Sequence, residues 1–277
     1  MAKLAERLVP DELWVLFRRV VPPTEVIRPQ GGGRRLAGDC GALAAIIFVA
    51  TSGCTWRQLP PVFDSSWQTA CRRFAQWSRA RVWARLHRVI LDEFGARGEL
   101  DWSRCAIDSV SLRATKGGSL TGPNPTDRGK LGSKIHLITD RNGLPLFLGI
   151  SGANLHDGQG LEPLVRGIPP IRSCRGPRRR RPTKLHADKG YDYNHLRRWL
   201  RGRGIRHRIA RKCIESSQRL GRHRWVVERT VSWLAGCRRL RRRYERKAEH
   251  FLASVGIAAA LICHRRLPAD DVPAAAQ

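Results

Sequence analysis

The 277-residue chain sets 23 carboxylates against 52 lysines and arginines, a formal net charge of +29, so an acid in an apolar setting calls for a reason. Three stand out. Asp108 interrupts "AIDSV", Asp188 ends "KLHAD" just before "KGYD", and Glu228 lies inside "RHRWVVERTVSWLAGCRRLRRRYER". A carboxylate flanked by Ile107 and Val110, or by Val227 and Val231, costs several kcal/mol to desolvate unless it is paired or bound to a metal. Surface pairing with Arg224, Arg229 and Arg238 accounts for any one of the three taken alone. Three converging acids would repel one another unless cations neutralised them. Mg²⁺ suits such a set, because it takes hard oxygen ligands, and two ions about 3.5–4 Å apart can activate an attacking oxygen and stabilise a leaving one in phosphodiester chemistry.

The charge balance points the same way. A sequence pI near 11.4 makes a polyanion the default partner, because releasing counterions from a phosphate backbone rewards a large cationic excess. Nucleic acid leads. A membrane surface is the competitor, but the apolar runs at 41–50 and 252–263 are too short to span a bilayer and no signal sequence opens the chain. The expectation is a soluble, cytoplasmic protein associated with the nucleoid. Eight cysteines show neither CxxC nor Cys/His ligand spacing, which argues against zinc and against a disulfide framework, and predicts reduced, mostly buried thiols.

Two kinds of periodicity must position the acids. Residues 1–95 have helical spacing: "DELWVLFRRVVP" puts Leu13, Phe17 and Val20 on one face, "DCGALAAIIFVATSG" is a buried helix stopped by Gly53, and 65–94 carries apolar residues at helical spacing opposite an Arg-rich face. Several short helices of this kind suit a helix-turn-helix-like module. The segment "RPQGGGRRLAGD" (28–39) is either a plain linker or a backbone-hugging arm. From about 100 the period becomes that of strands: 105–114, then 132–152 as two strands around "DRNG", then 183–191, with helical patterns at 192–203 and 222–245. The Gly/Pro-rich 116–132 is a loop. An antiparallel hairpin, a further strand and trailing helices give a mixed sheet with flanking helices, the skeleton of a ribonuclease-H-like domain. The Arg run in "IRSCRGPRRRRPT" (171–183) is a disordered solvated insertion or a phosphate-gripping one, with composition favouring the first.

The pieces "WRQLP" (56–60), "SSWQTACRRFAQW" (65–77), "AIDSVSLRA" (106–114), "GGSLTGPNPTDRGKLGSKIHLITDRNGLPL" (117–146), "GANLHDG" (152–158), "ADKGYD" (187–192) and "RWVVERTVSWLAGCRRLRRRYER" (224–246) together resemble bacterial insertion-sequence transposases of the DDE class, in the group named for insertion sequence five. The resemblance runs in order from about residue 10 to 267. It implies a helical N-terminal DNA-binding region (1–98), a ribonuclease-H-like catalytic domain (99–267) and a disordered tail (268–277). It also implies that Asp108, Asp188 and Glu228 form the catalytic and metal-holding triad for two Mg²⁺ ions, with Mn²⁺ able to substitute. Water would cut at the element's terminal inverted repeats, and the freed 3′-hydroxyl would join target DNA, within a homodimer on double-stranded DNA. Around the glutamate, related families carry Tyr-x2-Arg-x3-Glu-x6-Lys. Here Arg224 fits, while Gly221 and Ala235 stand in the Tyr and Lys places.

On this reading Gly190 lets the backbone turn, and Lys189 and Tyr191 face the DNA backbone or support the turn. Arg238, Arg239, Arg241 and Arg242 would extend the Glu228 helix along phosphates. His136 and His186 read as structural histidines, and Trp233, Leu234 and Val231 as core. Asn154, His156 and Asp157 either line the site or form an Asx-type turn. The rival function is a relic that binds DNA without cutting it. A weaker one is a repair or defence nuclease on the same fold.

Overall fold

The structure, a computed structural model, describes residues 2–23, 38–214 and 221–268. The "RPQGGGRRLAGD" segment up to Leu36 and Ala37, residues 215–220 and the tail from 269 fall outside them.

Among the described residues five α-helices come first: α1 (Ala2–Leu8), α2 (Asp11–Arg18), α3 (Asp39–Ser52), α4 (Trp67–Arg79) and α5 (Val82–Ala96). Leu13, Phe17 and Val20 are buried as their spacing requires, and Gly53 ends α3 in the left-handed conformation (φ 76°) that glycine adopts without steric cost. The long pattern from 65 to 94 is two helices, α4 and α5, and not one. The break falls at Ala80 and Arg81, where Arg81 takes φ 53°, and no Gly or Pro in the sequence marks it. The Arg-rich face also has an exception, since Arg73 is buried and lies 3.4 Å from Asp39 of α3.

The sheet comprises β1 (Cys105–Arg113), β2 (Gly122–Pro123), β3 (Leu131–Thr139), β4 (Pro145–Gly152), β5 (Lys184–Ala187) and β6 (Arg206–Ile209). β3 pairs antiparallel with β4 on one side and with β1 on the other. β5 then runs parallel to β1, and β6 parallel to β5. The resulting order β4-β3-β1-β5-β6, with two-residue β2 on the free end of β3, is a ribonuclease-H-like mixed sheet. Helices α6 (Gly158–Gly167) and α7 (Asn194–Gly202) follow, then α8 (Gly221–Gly236) and α9 (Ala248–His264). α9 is apolar almost all round, so it is buried almost all round. It lies between β4 and the helices α3, α4 and α5, and one connected core runs through both halves of the chain.

Three expectations are corrected here. The Arg run at 171–183 is folded back on the protein, with Ile171 and Arg179 exchanging backbone hydrogen bonds at 2.8 Å. The cysteines are free, but only Cys105, Cys237 and Cys263 are buried. The arginines after Glu228 are not on its helix, since α8 ends at Gly236 and Arg238–Arg241 form a short 3₁₀ turn.

Buried ionisable groups give the fold an acid limit. Burial lowers His87, 2.8 Å from the Pro145 carbonyl oxygen, from 6.5 to about 4, and burial with the charge of Lys134 lowers His136 likewise to about 4. The unfolded chain therefore binds more protons than the folded one between pH 6.5 and 4, and stability falls as pH falls through that window. Each histidine contributes about 3 kcal/mol to the loss. Asp140 opposes it: burial raises this carboxyl from 3.8 to about 6, so the folded chain holds its proton longer. Two groups outweigh one. Thermal unfolding should occur at a constant temperature above pH 7 and fall by about 10 °C towards pH 4, and His87→Gln should remove most of that fall, because Asp140 then nearly offsets the one histidine that remains. A profile equally flat in both proteins would contradict the assignment.

Candidate active site

The parallel pairing of β1 with β5 decides where the aspartates meet. Cys105 lies beside Leu185 and Ala106 beside His186. Two residues further along each strand are Asp108 and Asp188, and Asp188 is still extended (φ −83°, ψ −174°). Both therefore project from the same face at neighbouring strand positions, roughly 5 Å apart in backbone. Each is anchored locally: the Ser109 N–H donates to Asp108 Oδ1 and the Gly190 N–H to Asp188 Oδ1, both at 2.8 Å. Gly190 is a close approach and not a left-handed turn, for a Cβ there would sit 3.0 Å from Asp188 Oδ1 and 3.5 Å from Asp157 Oδ2.

α8 crosses the same sheet face over β1, β3 and β5. Val226 meets Ala106 and His186 in a small crevice, and Thr230 Oγ1 donates to the Gly143 carbonyl at 2.7 Å. Arg229 donates to the Asn142 carbonyl at 2.7 Å, with its guanidinium 4.5 Å from the Trp225 ring and 4.6 Å from that of Trp233. At about 100° per residue, Glu228 leaves α8 on the opposite flank from Val226 and Thr230. These two hold the turn beside the start of β1, so Glu228 is on the flank away from it, and it is exposed. The structure thus places Asp108 and Asp188 at neighbouring positions of adjacent strands and Glu228 on the exposed flank of α8. Among the described residues no three His, Cys, Asp or Glu side chains close around a common point. The two-aspartate donor set, all hard oxygen, fits a divalent cation such as Mg²⁺.

A network under the other face of the sheet ties β1 and β3 to the segment that leads into α6. Lys134 on β3, 8% exposed, places its Nζ 2.7 Å from Asp157 Oδ1 and 2.7 Å from the Leu155 carbonyl. Ser109, next to Asp108, donates to the same Asp157 oxygen at 2.7 Å. Burial opposes ionisation of Asp157, yet the hydrogen bonds from Lys134 and Ser109 and the charge of Lys134 outweigh it and hold the carboxyl below its ordinary value. Asp157 is thus a structural neighbour of both acid-bearing residues, and the Asx-turn reading is replaced. Lys134 gave a signal the sequence reading passed over: a lysine at a strand position between apolar neighbours.

The predicted DNA contacts divide. Arg238, Arg241 and Arg242 are exposed and Lys189 is half-buried. Tyr191 is 1% exposed and belongs to the core, so it supports the turn and does not face DNA. Arg239 is committed to the protein, with Nε 2.8 Å from Glu245 Oε1 and Nη1 3.1 Å from the Cys54 carbonyl. The side chain of Arg224 lies outside the described residues. His136 is structural, hydrogen-bonded to Ser151 Oγ at 2.8 Å, and His186 is buried.

The sheet order is that of a ribonuclease-H-like mixed sheet, with two aspartates at neighbouring strand positions. Sequence comparison narrows this. Residues 101–263 match the family described as the transposase DDE domain, and residues 9–87 match one described provisionally as a transposase of the IS4/5 family. The chain is 49% identical over 151 residues to a protein of Burkholderia cepacia named, again provisionally, as the transposase for insertion sequence element IS402, covering 54% of this chain and 72% of that protein. It is 31% identical over 115 residues to the transposase for insertion sequence element IS1106 of Neisseria meningitidis serogroup B, covering 38% and 36%. This chain belongs to the DDE transposase family, in its IS4/IS5-like branch. It is a metal-dependent transposase that acts on DNA. Solved structures with a similar trace include the Mos1 transposase paired-end complex with left transposon end (TM-score 0.25, 11% identity, 78% of this chain and 79% of that one) and the Mos1 strand transfer complex (TM-score 0.26, 12%, 87% and 80%). At those scores neither assigns a role to any residue here. Among the described residues no helix is long and apolar enough to cross a membrane.

Proposed function

We propose that Asp108 and Asp188 are the catalytic carboxylates of a DNA strand-cutting and strand-joining site, with Glu228 as the third. The observation that carries this is their register: two acids, two residues beyond the last paired positions of adjacent parallel strands, on the face that α8 covers. Asp108 and Asp188 would hold Mg²⁺, and Glu228 would complete the ligand set from the helix flank once DNA occupies the groove. Two ions and tolerance of Mn²⁺ belong to this reading. When bound, divalent ions neutralise the acids and supply positive charge where the phosphodiester reacts.

The chain's own residues do the rest. Ser109 and Gly190 fix the carboxylate orientations through their N–H groups. The exposed Arg238, Arg241 and Arg242, with Lys189, hold flanking phosphates. The N-terminal helices would recognise the element's terminal inverted repeats, and two protomers would bring two ends together, which favours a homodimer on DNA. The activity begins with hydrolysis at the element end, where water breaks one phosphodiester and leaves a 3′-hydroxyl and a 5′-phosphate, and ends with attack of that 3′-hydroxyl on target DNA, where one phosphodiester forms as one breaks and the target's own 3′-oxygen leaves.

Incubating the protein with a duplex that carries the DNA flanking its own reading frame is the test. Nicks at the element boundary in Mg²⁺, abolished by EDTA, are expected. Tight binding with no nick in either Mg²⁺ or Mn²⁺ would favour the relic, and nicking without any joined product would favour a nuclease.

A further inference from the structure

A second cationic feature lies at the opposite end of the parallel strands from the aspartates. There, where Thr183 leads into β5 and Ile205 into β6, a cavity of about 680 Å³ is lined by Arg166, Arg178, Arg179, Arg180, Arg181 and Arg203. Two of these have carboxylate partners. Arg178 Nη1 is 2.8 Å from Asp92 Oδ1, and Arg166 Nη2 is 3.2 Å from Glu162 Oε2. The other four are fixed differently among the described residues. Arg180 donates to the Arg166 carbonyl at 2.7 Å and Arg181 to the Arg203 carbonyl at 3.1 Å. Arg179 lies 5.6 Å from the Trp102 ring and Arg203 5.0 Å from that of Trp199.

Carbonyl oxygens and indole faces orient a guanidinium without cancelling its charge. The backbone carrying the run is itself pinned, by the paired Ile171 and Arg179 and by the Arg172 N–H, which donates to Asp92 Oδ1 at 2.7 Å. Four oriented, uncompensated guanidiniums around one concavity repel one another, and a polyanion relieves that repulsion. Arginine forks match phosphate oxygens, and here their rotamers are already restricted before binding. An apolar ligand has nothing to gain in such a place. From Thr183 to Asp188 the strand advances five residues, roughly 16 Å. That is about five base pairs of duplex at 3.4 Å each.

We propose that this arginine cleft grips the phosphate backbone of duplex DNA about half a helical turn away from the phosphodiester engaged at Asp108 and Asp188, as an anchor that takes no part in the reaction. The position given to the DNA rests on the active-site reading above; the anion-binding character of the cleft does not.

The test is direct binding in EDTA, where no cutting occurs, using labelled random-sequence 24-base-pair DNA between 50 and 200 mM salt, for the wild type and for R180Q/R181Q/R203Q. Three lost phosphate contacts should lower the slope of log affinity against log salt by about 2.7, so that the wild type loses roughly 40-fold more affinity than the variant over that range. R181Q/R203Q, which keeps the Arg180 bond to the Arg166 carbonyl, should lower it by about 1.8 and serves if the triple variant does not fold. Equal slopes in correctly folded variants would overturn the proposal. So would an unchanged DNA slope accompanied by a loss confined to double-stranded RNA. Nicking of the flanking-DNA duplex in Mg²⁺ is scored on the same preparations: equal slopes with normal nicking sink the cleft alone, and a slope difference without nicking sinks the active-site reading and keeps the cleft.

Discussion

Asp108→Asn and Asp188→Asn should each reduce nicking of the flanking-DNA duplex in Mg²⁺ by at least about a thousandfold, with DNA affinity changed by less than about threefold. The substitution is nearly isosteric, and the amide oxygen can still accept from the Ser109 or the Gly190 N–H, bonds that are 2.8 Å long in the protein. What disappears is one negative charge beside another on the neighbouring strand. Losing about 4 kcal/mol of charge stabilisation at the reacting phosphate corresponds to that thousandfold, since 1.36 kcal/mol is a factor of ten. Binding survives because the exposed Arg238, Arg241 and Arg242 are untouched and a protein of formal charge +29 loses little attraction to DNA by shedding one carboxylate. Glu228→Gln should behave likewise if α8 brings that side chain to the aspartates on DNA. Any of the three variants that nicks at more than about a tenth of the wild-type rate removes its residue from the site.

How much of this was legible in the chain follows from which physical signals are local. The strands bearing Asp108 and Asp188 declared themselves through alternation, and so did the β3-β4 hairpin through "DRNG". Strand β6 did not: "RHRI" is four residues long with arginine at every second place, indistinguishable from the arginine-rich stretches around it. α9 was visible only as an apolar run, because a helix buried on nearly all sides has no face to betray its period. The break between α4 and α5 depends on Arg81 adopting a left-handed conformation that carries no sequence mark. Exposure was likewise out of reach. Tyr191 and Arg239 have residue types that suit DNA, and only the three-dimensional packing shows that one is in the core and the other is spent on Glu245 and Cys54. Lys134 and Asp157 are 23 residues apart, and their ion pair exists only because β4 pairs with β3, Ser151 beside Lys134, and the chain after β4 turns back to that lysine.

Replacing Arg243 should strongly destabilise the C-terminal half of the protein. Arg243 is 1% exposed and, among the described residues, forms no ion pair with a carboxylate. Instead it donates to five acceptors on three segments: Ser133 Oγ at 2.6 Å, the Leu120 carbonyl at 3.0 Å, the Ser119 carbonyl at 2.6 Å, and the carbonyls of Arg246 and Glu245 at 3.2 and 2.8 Å. Its guanidinium also lies 5.0 Å from the Phe251 ring of α9. Its backbone N–H donates to the Arg113 carbonyl at 2.8 Å, so the residue locks the end of β1 to the 119–120 loop and to the start of α9. Burial lowers its pKa from the ordinary value, the expected direction for a cation enclosed by dipoles, but a guanidinium stays charged at any working pH. Arg243→Met keeps the volume and strands those acceptors, at a cost of about 3–5 kcal/mol. A midpoint shift of that size in urea unfolding is the expected result. Arg243→Lys, with three donors on a side chain of shorter reach, should recover part of it and no more, because a point ammonium cannot reach acceptors spread across a planar fork. Equal stability of Met and Lys variants would show that the pocket is held by packing alone. A wild-type midpoint in both would mean that the loop 119–120 is not secured through this side chain at all.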